Sequence, residues 1–312
     1  LFPYTTLFRS AVLLKGFTVP AFFRVVHQER VTIAFLLLPW LQDILVALDA
    51  GRISDVADAL CSLRLIHTGA QPIPPSVVEQ LRQHFPQIAL GISYGLTEAG
   101  GPGVLNLRME DIERSGSVGL PPPGWQARVV DDAGNETPPQ APGELLLKGP
   151  HMMSRYYKSE AATEEVLAGG WLHTGDIACR DIDGYYYIVG RRKEIIISGG
   201  ENIYPQRIEN FLRQLPGVKD TGVFGLRHCR LGEAVAAQIE LAPGASYTEE
   251  EVLDYCQGLP RFERPLRVFF GPVPRNPTGK IEKQLLQALY QNEPLPIRRG
   301  GPIPGSSQES SP

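Results

Sequence analysis

The sequence predicts an α/β domain carrying a small β-type, barrel-like region, followed by a separate α+β domain. Three observations carry this. Apolar β runs alternate with helix-length amphipathic segments between Phe22 and Ser93. Short β runs broken by Gly and Pro turns fill Ser117 to Ser154. A mixed strand–helix pattern then restarts at Lys193 and runs to Tyr290.

In chain order, Phe22 to Glu29 reads as a helix and Val31 to Leu37 as a buried strand. Pro39 to Ala50 is a helix with proline in its first turn. Arg64 to His67 is a strand, Pro75 to His84 a helix with Val77, Val78 and Leu81 at helical spacing, and Ile88 to Ser93 a strand. Next come β runs at Ala127–Val130 and Glu144–Leu147, then a hairpin whose Asp183-Gly184 turn precedes Tyr185-Tyr186-Tyr187. Strands are expected at 194–198, 219–226, 235–241 and 266–270, and helices at 205–214, 248–257 and 280–290. The expected boundaries are a foreign or mistranslated leader over 1–10, a first domain over 11–192, a compact second domain over 193–291 and a disordered Pro/Gly/Ser-rich tail over 292–312.

Length and composition set limits. The 312 residues suffice for two cored domains. A net charge of −4 gives no general attraction to nucleic acid or anionic lipid. The longest apolar run, Ile33 to Trp40, is too short to span a bilayer and is interrupted by Pro39. The four cysteines, at 61, 179, 229 and 256, form no CxxC pair and suit reduced thiols in a cytoplasmic protein.

Four short runs hold the candidate chemistry. Tyr94-Gly95-Leu96-Thr97-Glu98 follows a strand, at the sheet edge where ligands collect in α/β folds. Glu98 there suits Mg²⁺ bridging phosphate oxygens, and Thr97 suits a hydrogen bond to a phosphate; a plain helix cap reads the same way. Asp176, after Thr174-Gly175, suits ribose hydroxyls, and Arg191 suits ribose and phosphate, although a surface ion pair also predicts their proximity. Ser198-Gly199-Gly200-Glu201 precedes a helix and fits either a turn or an anion-binding nest. Lys280 ends the run Pro274-Arg275-Asn276-Pro277-Thr278-Gly279-Lys280, where a lysine on its own would be merely solvated.

Taken together, in this order and spacing, YGLTE, WLHTGD, YIVGRRK, SGGEN and PRNPTGK resemble the AMP-forming adenylating enzymes, a superfamily that includes acyl-CoA synthetases, peptide-synthetase adenylation domains and luciferase. The resemblance runs from about Ala11 to Tyr290. It implies an ATP-dependent carboxylate–CoA ligase acting on an aryl or fatty acid, with ATP/AMP, Mg²⁺ and CoA as cofactor and co-substrates. Lys280, Thr97 and Glu98 would be catalytic, with Glu98 the Mg²⁺ residue. Gly69, Ala70, Gln71, Tyr94, Gly95, Asp176 and Arg191 would hold the nucleotide, with Tyr94 stacked on adenine; Gln71 departs from the family's usual small residue. Lys193 would be the hinge of a mobile lid, Ser198, Gly199, Gly200 and Glu201 the CoA loop, and Trp40 and Gly100 part of the acyl pocket. The family's upstream phosphate loop, which ends in Pro-Lys-Gly, has no match in this sequence, so the chain reads as the C-terminal part of a truncated member with little activity alone. Two other readings remain open: an adenylating domain serving a carrier-protein thiol, and a non-catalytic nucleotide-binding module.

Overall fold

The computed structural model describes residues 10–53, 56–69, 73–106, 114, 116–276 and 279–296. The chain divides into two compact units between Lys193 and Glu194.

In the first unit, α1 (Val19–Gln28) starts where the Thr18 side chain accepts the Ala21 N–H, with Pro20 in the first turn. β1 (Ile33–Phe35), α2 (Leu38–Asp49), α3 (Val56–Ala59), β2 (Leu65–Gly69), α4 (Pro75–His84), β3 (Ala89–Leu96) and β4 (Gly101–Asn106) follow. They build a sheet ordered β1-β2-β3-β4, parallel through β3 and antiparallel at β4. One face packs on an apolar core that includes Phe23, Leu41, Ile44, Val78 and Leu81 from the helices. β1 lies at the sheet edge, and its Ile33 and Phe35 are exposed.

β4 departs from expectation. No element is expected between Ser93 and Ala127, yet Gly101–Asn106 folds back onto β3 as a paired strand. Glycine is required where the two strands close: a Cβ on Gly95 would lie 2.3 Å from the Gly101 carbonyl oxygen.

A second, antiparallel sheet runs β5 (Gln126–Val130), β6 (Gly143–Lys148), β7 (Leu172–Arg180), β8 (Tyr186–Arg191), with α5 (Glu160–Val166) between β6 and β7. The Asp181 carboxylate closes the β7–β8 turn by accepting the Asp183 and Tyr185 N–H groups. Ala99, from the 3₁₀ turn after β3, and Val104 from β4 share a buried core with Leu145, Leu147 and Leu172 from the second sheet. That packing sets the end of β3 against β7.

The second unit holds β9 (Ile196–Ser198), β10 (Glu201–Ile203), α6 (Pro205–Leu212), β11 (Val218–His228), β12 (Gly232–Leu241), α7 (Glu249–Tyr255), β13 (Arg267–Phe270) and α8 (Lys283–Tyr290). Its sheet is ordered β10-β9-β12-β11, with β13 parallel to β12. α8 begins three residues later than periodicity suggests. Lys280 therefore stands before the helix, in a turn closed by the Arg275–Ile281 bridge.

Lys283, in the first turn of α8, is largely buried between Glu209 at 3.0 Å and Glu194 at 3.1 Å. Burial pulls its pKa down, but the two carboxylates more than offset that and raise it. A raised folded pKa makes this contribution to stability fully present below the unfolded value of about 10.4 and lost as pH climbs through the folded value. Lys283→Met leaves the buried Glu209 carboxylate without its cation. The second unit should lose about 3 kcal/mol in calorimetric unfolding at pH 7; a loss below about 1 kcal/mol would contradict this.

Candidate functional site: a carboxylate–guanidinium–phenol cluster

The β7–β8 pair places Asp176 directly opposite Arg191. The Arg191 Nε donates to Asp176 Oδ1 at 2.8 Å, and the Tyr94 hydroxyl, from β3, donates to Oδ2 at 2.5 Å. Asp176 is only 5% exposed, which removes it from the class of loose surface ion pairs. Burial, and then the Asp176 charge, push the Tyr94 phenol well above its ordinary pKa, so it stays a protonated donor.

The turn that presents Asp176 is tightly held. Thr174 Oγ1 donates to the Leu145 carbonyl at 2.7 Å and accepts the Asp176 N–H at 3.1 Å. Gly175 adopts φ +67°, the left-handed region open to glycine. Its N–H reaches Glu144 Oε1 at 3.1 Å, while Glu144 Oε2 meets Arg192 at 3.2 Å and His173 at 3.3 Å.

Thr97 and Glu98 lie in a single 3₁₀ turn directly after β3, so they leave the same strand that carries Tyr94. Gly100 caps that turn at φ +68°, with the His151 carbonyl oxygen 2.4 Å from where a Cβ would sit. The Met153 N–H donates to the Glu98 carbonyl at 2.7 Å, and the Tyr156 hydroxyl donates to Glu98 Oε1 at 2.7 Å. That hydrogen bond to Glu98 is the main cause of the raised Tyr156 pKa. Glu98 is half-buried, and among the described residues no group of three or more His, Cys, Asp or Glu could cage a metal. A lone carboxylate suits Mg²⁺, which keeps waters and substrate phosphates as its other ligands.

Gly69, the last residue of β2, pairs with Ser93, and a Cβ there would lie 2.8 Å from the Ser93 carbonyl oxygen. Ala70 and Gln71 lie outside the described residues. Trp40, on α2, stacks on Phe17 at 5.0 Å and packs against the helical core.

The remaining candidates belong to the second unit or its border. Lys193 is exposed in the 3₁₀ turn Arg192–Glu194. Ser198 pairs with Glu201 across the β9–β10 hairpin, and Gly199 and Gly200 form its tip at φ +60° and +89°. Two consecutive positive φ values define a two-residue hairpin turn, so this segment is a turn rather than a nest at a helix start. Lys280 is exposed, and its N–H donates to Asn276 Oδ1 at 3.0 Å.

Residues 3–157 match the model of the AMP-binding enzyme family, and residues 207–280 match that of the AMP-binding enzyme C-terminal domain. The chain belongs to the AMP-binding enzyme family. Among its relatives in that family, an indoleacetate–CoA ligase from Aromatoleum aromaticum is 34% identical over 284 residues, covering 90% of this chain and 54% of the relative. A feruloyl-CoA synthase from Amycolatopsis is 36% identical over 277 residues, covering 88% and 55%. Among solved structures, the o-succinylbenzoate CoA synthetase of Bacillus subtilis, in complex with its acyl-adenylate intermediate, superposes with a TM-score of 0.77 at 31% identity, covering 88% of this chain and 55% of that one. The chain thus spans about half the length of the curated relatives it matches. No helix among its described residues is long and apolar enough to cross a membrane.

Three residues that the sequence did not single out hold the candidate residues by hydrogen bonds: Tyr156 on Glu98, Thr174 under Asp176, and Glu144 beneath Gly175. Only Thr174 carried a sequence signal, inside the Thr-Gly-Asp run.

Proposed function

We propose that this chain is part of an AMP-forming carboxylate–CoA ligase. An acid and ATP give an acyl-adenylate and pyrophosphate; CoA then gives the acyl-CoA and AMP. The observation that carries the reading is the convergence of Tyr94, Asp176 and Arg191 in one unit, with Glu98 a single turn beyond the strand that bears Tyr94.

In this reading Asp176 accepts from the ribose hydroxyls and Arg191 contacts ribose and phosphate oxygens. Tyr94 offers its ring to adenine while its hydroxyl stays on Asp176, and Gly69 and Gly95 allow close approach to the nucleotide. Thr97 donates to the α-phosphate. Glu98, steadied by Tyr156, would hold Mg²⁺, which supplies charge neutralisation at the phosphates. Lys280 stabilises the charge that builds as pyrophosphate leaves. Lys193 serves as the hinge, and Ser198 to Glu201 line the pantetheine path during thioester formation. Gly100 and Trp40 are the proposed acyl contacts. The donor is an aryl or fatty acid, and the indoleacetate and feruloyl relatives support the aryl side. A cytoplasmic setting fits four free cysteines.

The sequence contains no Pro-Lys-Gly phosphate loop. These 312 residues alone should therefore catalyse ATP–pyrophosphate exchange far below an intact relative. A chimera placing them after the N-terminal half of the Amycolatopsis synthase should restore exchange and should transfer the acyl group to CoA. A chimera inert with a panel of aryl and fatty acids, or one transferring only to a phosphopantetheinyl carrier protein, would overturn the ligase assignment.

A further inference from the structure

The turn that carries Lys280 is fixed by a second charge cluster, which no sequence motif revealed. Asp220 sits on β11 beside a bulge that shifts the register between Val218 and Asp220. Its carboxylate is 14% exposed and takes the Arg275 guanidinium in a two-pronged grip: Nε to Oδ2 at 2.7 Å and Nη2 to Oδ1 at 2.9 Å. Arg213 approaches the same carboxylate at 3.4 Å. The remaining arm of Arg275, Nη1, donates to the carbonyl oxygen of Gly279, the residue before Lys280. Backbone contacts complete the turn: Asn276 N–H to the Lys280 carbonyl at 2.9 Å and Gly279 N–H to the Asn276 carbonyl at 2.8 Å.

A fork of this kind has one low-energy orientation, so its third contact is aimed as well. Gly279 sits at φ +83°, and neither it nor the exposed lysine is held by core packing. We propose that Asp220, acting through Arg275, is a positioning residue that sets the Lys280 backbone for the adenylation half-reaction. This rests on the role given to Lys280 above. It adds a residue on β11, far from Lys280 in sequence, whose own carboxylate touches no reacting group.

The test has two arms. In the 312-residue chain, hydrogen–deuterium exchange across 274–282 should speed up at least about tenfold in Asp220→Asn, while β11 and β12 peptides keep their protection. In the chimera, Asp220→Asn should lower ATP–pyrophosphate exchange by about tenfold and leave thioester formation from a supplied acyl-adenylate unchanged. Arg275→Lys, which keeps the charge but loses the fork, should behave likewise, and serves if Asp220→Asn does not fold. Asp220→Glu should recover part of the loss. Lys280→Ala runs alongside as the reference. If Lys280→Ala leaves adenylation intact, the underlying reading of the lysine fails, and this proposal with it. If Lys280→Ala cripples adenylation while Asp220→Asn and Arg275→Lys do not, only the positioning role is overturned. Equal loss in both half-reactions would reduce Asp220 to general scaffolding and also overturn it.

Discussion

Lys280→Ala in the restored chimera is expected to cut adenylation by about 10²–10³-fold, the range for removing one preorganised charge-stabilising group. The loss should fall on ATP–pyrophosphate exchange. Thioester formation from a supplied acyl-adenylate should proceed at an unchanged rate, because no pyrophosphate leaves in that step. The side chain is exposed and Lys280 forms no ion pair among the described residues, so its removal should barely alter stability. That separates a chemical role from a structural one. Equal loss in both half-reactions, or no loss in either, would remove Lys280 from the adenylation step.

Asp176→Asn is the second large effect. The substitution keeps the shape of the side chain but removes the charge that both Tyr94 and Arg191 address. Hydrogen bonds to a charged acceptor contribute about 1.5–3 kcal/mol each. Loss of the ribose contacts should weaken AMP binding by about 10–100-fold in isothermal titration calorimetry. The first unit should also lose about 2 kcal/mol of stability, since Tyr94 and Arg191 address the two different carboxylate oxygens, one of which becomes an NH2 group, and the negative charge between them is gone. A plain surface pair would cost under about 1 kcal/mol and leave AMP affinity untouched. Affinity unchanged beside a large stability loss would make the cluster a structural strut and withdraw it from the nucleotide site.

Much of this was legible in the sequence, and the gaps have physical causes. α4 runs from Pro75 to His84 as periodicity indicates, because Val77, Val78 and Leu81 face the core and Pro75 opens the helix. Asp176 and Arg191 meet because a hairpin register of paired residues is local information. β4 was hidden because its glycines carry no β signal; pairing with β3 makes it a strand. α5 was missed for the opposite reason: it buries none of its residues, so it has no apolar stripe to read. The late start of α8 follows from the Arg275–Ile281 bridge, a contact periodicity does not encode. Tyr156, Glu144 and Asp220 find their partners through tertiary packing, across 58, 31 and 55 residues of chain respectively.

The outermost strand of the parallel sheet has a practical consequence. Among the described residues β1 is hydrogen-bonded on one side only, and Ile33 and Phe35 stand 44% and 54% open to solvent. A bare row of amides beside two greasy side chains invites other molecules to stick. Colloidal behaviour will then limit how far this polypeptide can be concentrated before it precipitates, and a single lysine substituted for Ile33 is the gentlest remedy.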